Sequence, residues 1–478
     1  MKVLCRHFMS TSETLARVNG IEVHRGPFKV LGGVSASLGC GEVVAIVGEN
    51  GSGKTTLIEA FAGILPLRSG EVIWYDGGGS IAVRDSEGRR NPPPPMGLTL
   101  QKGGICGDET VSERLSVSLS VSGISSEDEQ ILDLLDQWGL RHRSQDRVSH
   151  LSGGLRRRLS ILCGLAPAAL SKSPRVVLLD EPSEGLDQHA KKTLTGWIRA
   201  LSSLGHGIMV ATHDKELISC SDRILSVEDK SIIESKGESK GEKLQLPKTG
   251  QISEKSSISS LVRWSMRMEV RNPIETVGRA TPAIVAILLS YALIMDFDLH
   301  SHESRLLAAL VLAPAFIASI SSPALVSRLA ESDCGRWWKA VVGPMARPAF
   351  SISAASILLP IPITYLSWFI LSGSVDDQVS SEVMMWLWIP ALAMTDLAIA
   401  STALHLLVSD LSRSSVAPAP LLLVIMVWPF LELTDALSSI IDDGMTWGLS
   451  IHEPLVTCIV ASLISALVWL AAVLIPDY

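Results

Sequence analysis

Eight consecutive residues, Gly48-Glu49-Asn50-Gly51-Ser52-Gly53-Lys54-Thr55, satisfy the pattern GxxxxGK[ST] without a mismatch. Glycines at this spacing let successive backbone N–H groups turn inward on an anion. A helix starting at the lysine adds the partial positive charge of its N-terminus. Such a loop would cradle nucleotide phosphates, with Lys54 reaching the β- and γ-phosphates, the Thr55 hydroxyl holding Mg²⁺, and Thr56 completing the cradle. Residues 42–47, Glu-Val-Val-Ala-Ile-Val, read as a buried strand, and residues 56–62, Thr-Leu-Ile-Glu-Ala-Phe-Ala, read as a helix. That strand–loop–helix order is the context the motif requires.

Other groups with chemical potential follow. Val176-Val177-Leu178-Leu179 is an apolar run ending in Asp180-Glu181-Pro182. Asp180 can hold Mg²⁺ through water, and Glu181 is placed to polarise a water that attacks a γ-phosphate. An acidic turn after a core strand is common, but Ser183-Glu184-Gly185-Leu186-Asp187 follows at once. Leu151-Ser152-Gly153-Gly154 offers N–H groups and a hydroxyl ahead of a helical run, a second anion-binding helix start. Leu98-Thr99-Leu100-Gln101 reads as a short strand ending in glutamine, and residues 208–212 as a strand ending at His213.

The elements around these groups are readable from their patterns. Residues 17–38 alternate like antiparallel strands, and Glu71-Val72-Ile73-Trp74 is another short strand. Residues 76–96 are rich in Gly, Arg and Pro and read as a surface loop without packed structure. Residues 111–140 carry leucines at helical spacing.

Taken together, residues 16–230 resemble the nucleotide-binding domain of ATP-binding cassette (ABC) transporters. The phosphate loop, Gln101, residues 151–154, Asp180 with Glu181, residues 185–187 and His213 occur in that family's order. The resemblance implies an α/β P-loop NTPase, a RecA-like core with an inserted helical subdomain at roughly residues 105–165. It implies ATP and Mg²⁺ as cofactors, with Glu181, His213 and Gln101 catalytic and Gln101 also near the metal beside Thr55 and Asp180. It further implies that two domains sandwich two ATP molecules. Ser152, Gly153 and Gly154 of one copy would then meet the γ-phosphate held by the other, with Asp187 close by. The family usually stacks an aromatic residue on adenine. That place falls near Arg25, which could stack through its guanidinium plane, or Phe28 could take over.

The chain has 478 residues, of which 47% are hydrophobic and 19% charged, which is too apolar for a wholly soluble protein. The net charge of −8 argues against a nucleic-acid partner. The 7 cysteines are scattered without a CxxC pair, as expected of free thiols in a reducing compartment. Residues 1–17 hold no sustained apolar stretch, so no signal peptide is expected. The chain therefore divides into an ATP-binding domain (1–233), a polar, low-complexity, flexible linker (234–258), an amphipathic interfacial helix (259–272) and an all-α six-helix transmembrane domain (273–478). In the third segment Leu261, Trp264, Met266 and Met268 interleave with Arg263, Arg267 and Arg271.

Apolar stretches at 274–295, 305–327, 350–372, 384–408, 415–433 and 454–475 each approach the roughly twenty residues a spanning helix needs. Arg328, Arg336, Lys339, Arg347 and Arg413 fall in the loops after the second and fourth stretches, while residues 296–304, 373–383 and 434–453 contain no Lys or Arg. The positive-inside rule then places the ATP-binding domain and both termini in the cytoplasm, on a multi-pass protein of the cytoplasmic membrane. The loop 328–349 mixes charge with tryptophans and suits a coupling element resting on the ATPase. Asp396 falls mid-span in the fourth stretch and is a candidate for a transport path; His405 is more simply a helix-to-helix hydrogen-bonding group than a ligand.

The membrane half resembles the membrane subunit of the haem exporter of cytochrome c maturation, and also the wider ABC-2 type exporters. The resemblance implies an ATP-driven exporter working as a homodimer in lipid on a small amphiphile, with haem one candidate. The alternatives are another lipid, drug or amphiphile, or an ABC membrane machine that transports nothing.

Overall fold

The structure, a computed structural model, describes residues 14–77, 79–246, 251–252, 257–271, 273–297, 304–321, 326, 329, 333–343, 350, 352–374, 377–411, 418–443 and 452–474. It divides into two compact units, one joining residues 1–261 to 329–348, the other holding 262–328 and 349–475.

In the first unit, β1 (Thr14–Arg25) and β2 (Phe28–Gly39) form an antiparallel hairpin. β3 (Val43–Val47), a β-branched and fully apolar run, leads through the phosphate loop into α1 (Lys54–Phe61). β4 (Ser69–Asp76) and β5 (Gly79–Asp85) complete a four-stranded sheet in the order β2-β1-β4-β5. β5 lies inside the region expected to be an unpacked loop. The glycine-rich stretch that leads into it hides the strand pattern, yet Val83 and Arg84 are buried because β4 supplies a full antiparallel partner.

β6 (Gly97–Thr99) is followed by α2 (Val111–Val121), the short β7 (Ile124–Ser125) and α3 (Asp128–Gln137). The leucine-spaced run 111–140 is thus two helices, broken where Gly123 adopts a φ of +73°. A capping box between Thr110 and Glu113 starts α2. α4 (Gly153–Ala169), β8 (Val176–Asp180), α5 (Gln188–Ser203), β9 (Gly207–Ala211), α6 (Lys215–Ser219), β10 (Arg223–Glu228) and β11 (Ser231–Lys236) follow. The main sheet runs β11-β10-β3-β9-β8-β6, parallel except for the edge strand β11. β8 and β9 are buried along their whole length, as continuous apolar strands of a parallel sheet must be.

The segment expected as a free linker is fastened to this unit at its start. β11 runs to Lys236, and the backbone N–H groups of Gly237, Ser239, Lys240 and Leu244 donate to the carbonyls of Asp222, Ser221, Ser219 and Gly196. Leu246 packs against the apolar core. Further on, β12 (Gln251–Ile252) pairs with β7. Polar composition did not reveal these attachments because most are made by backbone.

α7 (Ser257–Arg271) straddles the division between the units and buries Leu261, Trp264 and Met268 along one face. The second unit contains α8 (Pro273–Phe297) and α9 (Ser304–Ile320). α10 (Cys334–Val342) returns to the first unit. The second unit resumes with α11 (Pro360–Leu371), α12 (Asp377–Trp386), α13 (Trp388–Leu411), α14 (Pro418–Asp443) and α15 (His452–Leu474). α9 sits among α8, α11, α13 and α14, and α15 packs on α13 and α14.

Among the described residues three helices are long and apolar enough to cross a membrane: Trp388–Leu406, Val424–Asp442 and Glu453–Val473. Shorter apolar helices lie at Ala280–Met295, Ser304–Ile320 and Pro360–Leu371. The stretch 350–372 is interrupted, a 3₁₀ turn at Ala354–Leu358 giving way to α11 at Pro360. The stretch 384–408 begins in α12 and continues in α13 after a break at Leu387. α14 runs to Asp443, ten residues beyond the expected end at 433. There Arg305 pairs with Asp435 at 2.7 Å, and Ser304 donates to Asp442 at 2.7 Å.

Candidate active site

The parallel strands deliver the expected residues at one edge of the main sheet. Gly48 follows β3, Gln101 lies just past β6, Asp180 ends β8, and His213 lies just past β9. Crevices outside the carboxyl ends of such strands are where α/β sheets bind ligands.

The phosphate loop needs its glycines. Gly48 has φ +149°, and a Cβ there would fall 2.6 Å from Ser52 Oγ and 2.7 Å from the Val227 carbonyl oxygen. Gly53, at φ +115°, caps α1. Lys54 folds back so that Nζ donates to the carbonyls of Gly48 at 2.9 Å and Glu49 at 3.0 Å. The Ser52 hydroxyl is buried without a partner among the described residues, as an anion-binding loop would leave it.

Thr55 Oγ1 donates to Asp180 Oδ1 at 3.1 Å, while Asp180 Oδ2 is buried and unpartnered. Burial pushes the Asp180 carboxyl up to about 6, opposed by the Thr55 hydrogen bond and reinforced by the charges of Glu59 and Glu181. A hydroxyl and an orphaned carboxylate oxygen form a hard oxygen pair that fits Mg²⁺.

Glu181 sits at φ +45°, its N–H donating to the Ala211 carbonyl at 2.9 Å. This left-handed conformation costs a non-glycine residue energy and is characteristic of functional positions. Glu181 Oε2 lies 2.9 Å from His213 Nδ1, so strand ends β8 and β9 are joined through their two candidate catalytic side chains. The Glu181 side chain is 10% exposed and the His213 side chain 72%.

Arg157 organises this edge and was not singled out by the sequence. Its guanidinium donates to the carbonyls of Leu100 and Gln101, each at 2.9 Å, and of Asp180 at 2.8 Å and Glu181 at 2.6 Å. One half-buried fork thus ties the glutamine turn to the paired carboxylates. Only its place in α4, directly after residues 151–154, hinted at a role.

Ser152 caps α4 by accepting from Leu155 N–H at 3.4 Å, and Ser152 and Gly153 are exposed. Asp187 accepts from Ala190 N–H at 2.8 Å, starting α5, and ion-pairs with Arg158 of α4. At the β1–β2 hairpin Phe28 is 74% exposed, whereas the Arg25 guanidinium is engaged with the Glu59 carboxylate of α1. Asp396 belongs to α13 in the second unit and is half-buried.

α10 packs into this same unit. Trp337 Nε1 donates to the Leu98 carbonyl on β6 at 3.1 Å. The buried Arg114 guanidinium lies 4.0 Å from the Trp337 ring centroid and donates to the Gly104 carbonyl at 3.1 Å. Arg336 Nη2 reaches Glu59 Oε1, and Arg90 Nη2 donates to the Lys339 carbonyl at 2.7 Å. Helix α10, encoded between apolar helices, is thereby held against β6 and α1.

Residues 31–184 match a family model described as ABC transporter. The macrolide export ATP-binding/permease protein MacB of Azoarcus sp. (strain BH72) is 30% identical over 266 residues, 55% of this chain and 40% of that protein. The lipoprotein-releasing system ATP-binding protein LolD of Bacteroides fragilis (strain YCH46) is 29% identical over 222 residues, 46% of this chain and 100% of that protein. The chain spans less than half the length of the first MacB relatives it matches. A bacterial ABC transporter cassette solved as a dimer aligns at a TM-score of 0.40 and 21% identity, over 48% of this chain and 100% of that one. The α/β part of the first unit is an ATP-binding cassette, a P-loop ATPase domain, and a helical region with three candidate membrane-spanning helices follows it.

Proposed function

We propose that this chain is an ATP-driven exporter of the cytoplasmic membrane that moves a small amphiphile through its helical region. The observation that carries the reading is α10, which leaves the helical region to set Arg336 on Glu59 and Trp337 on Leu98. An ATPase that merely ended in a membrane anchor would have no use for that contact.

The chemistry follows from the site. Lys54 and the loop N–H groups bind and orient the phosphates. Mg²⁺, held at Thr55 and Asp180, would offset phosphate charge. Glu181 orients water and takes up its proton, and His213 holds the Glu181 carboxylate in place. Phe28 stacks on the base, since Arg25 is committed to Glu59. Two copies work together, Ser152, Gly153 and Gly154 of each closing on the phosphates of the other.

The membrane arrangement we favour has six spans with the cassette and both termini cytoplasmic, supported by the loop charges and by apolar helices in all six stretches. The names of the relatives speak of macrolide export and lipoprotein release; carried to this chain, they support an amphiphilic cargo moving outward. Haem is the cargo implied by the membrane half's resemblance. His405 donates through Nε2 to the Ile320 carbonyl, 2.9 Å away, the helix-to-helix hydrogen bond expected of it.

The deciding experiment is ATP hydrolysis and cargo uptake by inside-out vesicles containing wild type or Glu181→Gln, with haem and with other amphiphiles. Uptake that needs both ATP and Glu181 supports export. Hydrolysis that needs Glu181, moves nothing and responds only to a protein partner would establish the non-transporting machine instead.

A further inference from the structure

Between α13 and α15 lies an open cavity of about 710 Å³, within the span of ordinary small-molecule sites. Its walls are mainly apolar, with Leu392, Leu455, Ile459, Trp388 and Trp469 in the lining. Asp396 supplies the one carboxyl group of the lining. It lies eight residues, or about 12 Å, along the helix from Trp388. No described residue forms an ion pair or hydrogen bond with it. A second polar group behaves alike: Ser465 is 1% exposed, lines the cavity, and its hydroxyl has no partner among the described residues.

An uncompensated carboxylate in apolar surroundings is costly and persists where a counter-charge visits. Within a helix pair of this hydropathy, an apolar body would fill the cavity and a positive centre would meet Asp396, with two indoles in the lining available to the same charge. A neutral ligand would leave Asp396 uncompensated, and an anion would be repelled. We infer that the α13–α15 cavity is a binding site for a lipophilic monocation, with Asp396 as its counter-ion. As a statement about cargo this rests on the exporter reading; as a statement about binding it stands alone. It also disfavours haem, whose two propionates are anionic.

The test is equilibrium binding of radiolabelled tetraphenylphosphonium, and of its size-matched anion tetraphenylborate, to the full chain in zwitterionic lipid nanodiscs, with empty discs subtracted. Wild type and Asp396→Glu should bind tetraphenylphosphonium saturably. Asp396→Asn should bind it at least tenfold more weakly, and Asp396→Lys should reverse the preference toward tetraphenylborate. That gain of anion binding cannot come from misfolding. Haem should compete poorly. Equal tetraphenylphosphonium affinity in wild type and Asp396→Asn, equal binding of cation and anion by wild type, or strong competition by haem would each overturn the inference. Glu181→Gln separates the two readings. If hydrolysis requires Glu181 but cation binding ignores Asp396, the cavity assignment fails alone. If cation binding follows Asp396 but no ATP-dependent uptake occurs, the exporter reading fails alone.

Discussion

Arg336 Nη2 stands 2.6 Å from Glu59 Oε1, and the same carboxylate, with a side chain only 2% exposed, also takes the Arg25 guanidinium. Glu59 is on the helix that begins with Lys54, so a residue of the loop helix α10 is one side chain away from the phosphate-binding element. A double-mutant cycle of Arg336→Ala with Glu59→Gln, read by denaturant unfolding of the cassette, should give a coupling of about 1–3 kcal/mol. Additivity within about 0.3 kcal/mol would mean the pair contributes nothing. In the vesicle assay Arg336→Ala should lower uptake per ATP hydrolysed more than it lowers hydrolysis.

In the proposed mechanism Glu181→Gln removes the proton acceptor while keeping the shape. The turnover rate should fall about 10²- to 10⁴-fold with little change in ATP affinity. His213→Ala leaves the carboxylate but loses the 2.9 Å contact that holds it, so its loss in kcat should be smaller and again leave the KM for ATP within about twofold. A large rise in KM with kcat unchanged would contradict both roles.

Arg157→Lys keeps the charge but replaces a planar fork with one ammonium, which cannot serve four carbonyls at once. Each buried carbonyl left without a donor costs about 1–3 kcal/mol. Thermal unfolding of the cassette should show a loss of at least about 2 kcal/mol. Hydrolysis should drop with it, because Gln101 and Glu181 lose their common tether.

His206 provides a pH test away from the nucleotide. Its Nδ1 accepts from Arg175 N–H at 3.0 Å, and burial, with the nearby Arg175 charge, lowers its pKa from 6.5 to about 4. Between these values the unfolded chain binds a proton that the folded chain does not. Stability is therefore fully present above pH 6.5 and is lost as pH falls toward 4, by about 3 kcal/mol in all. His206→Gln should flatten that part of the stability profile measured between pH 4 and 7; an unchanged profile would show that other groups produce it.

The strand, loop and helix around residues 48–55 and the strand ending at Asp180 were legible because motif residues fall at tight local spacing and their strands are continuous apolar runs. Arg157 was not, since its partners are backbone carbonyls from two distant strand ends and nothing in three consecutive arginines separates the second from its neighbours. β5 escaped because glycines and arginines mask a strand whose register comes wholly from β4. The apolar stretches foretold helices, but a hydropathy window averages over breaks such as those at Leu387 and before Pro360. The loop of charges and tryptophans at 328–349 suggested docking; that Trp337 would bond to β6 and stack with Arg114 depended on a fold joining residues more than two hundred apart.

The return of α10 to the first unit has a covalent consequence. The chain passes between its two units at 261, at 328 and again at 348, so the segment after β11 is only one of several threads. Splitting the gene there, with one polypeptide ending near residue 246 and another starting near 257, should still yield a complex that copurifies, because α10 carries its own grip on β6 and α1. Nicking by protease at the same place should leave the pieces together until denaturant is added. A chain built in this way could have begun as two genes, or could become two, without redesign of the joint.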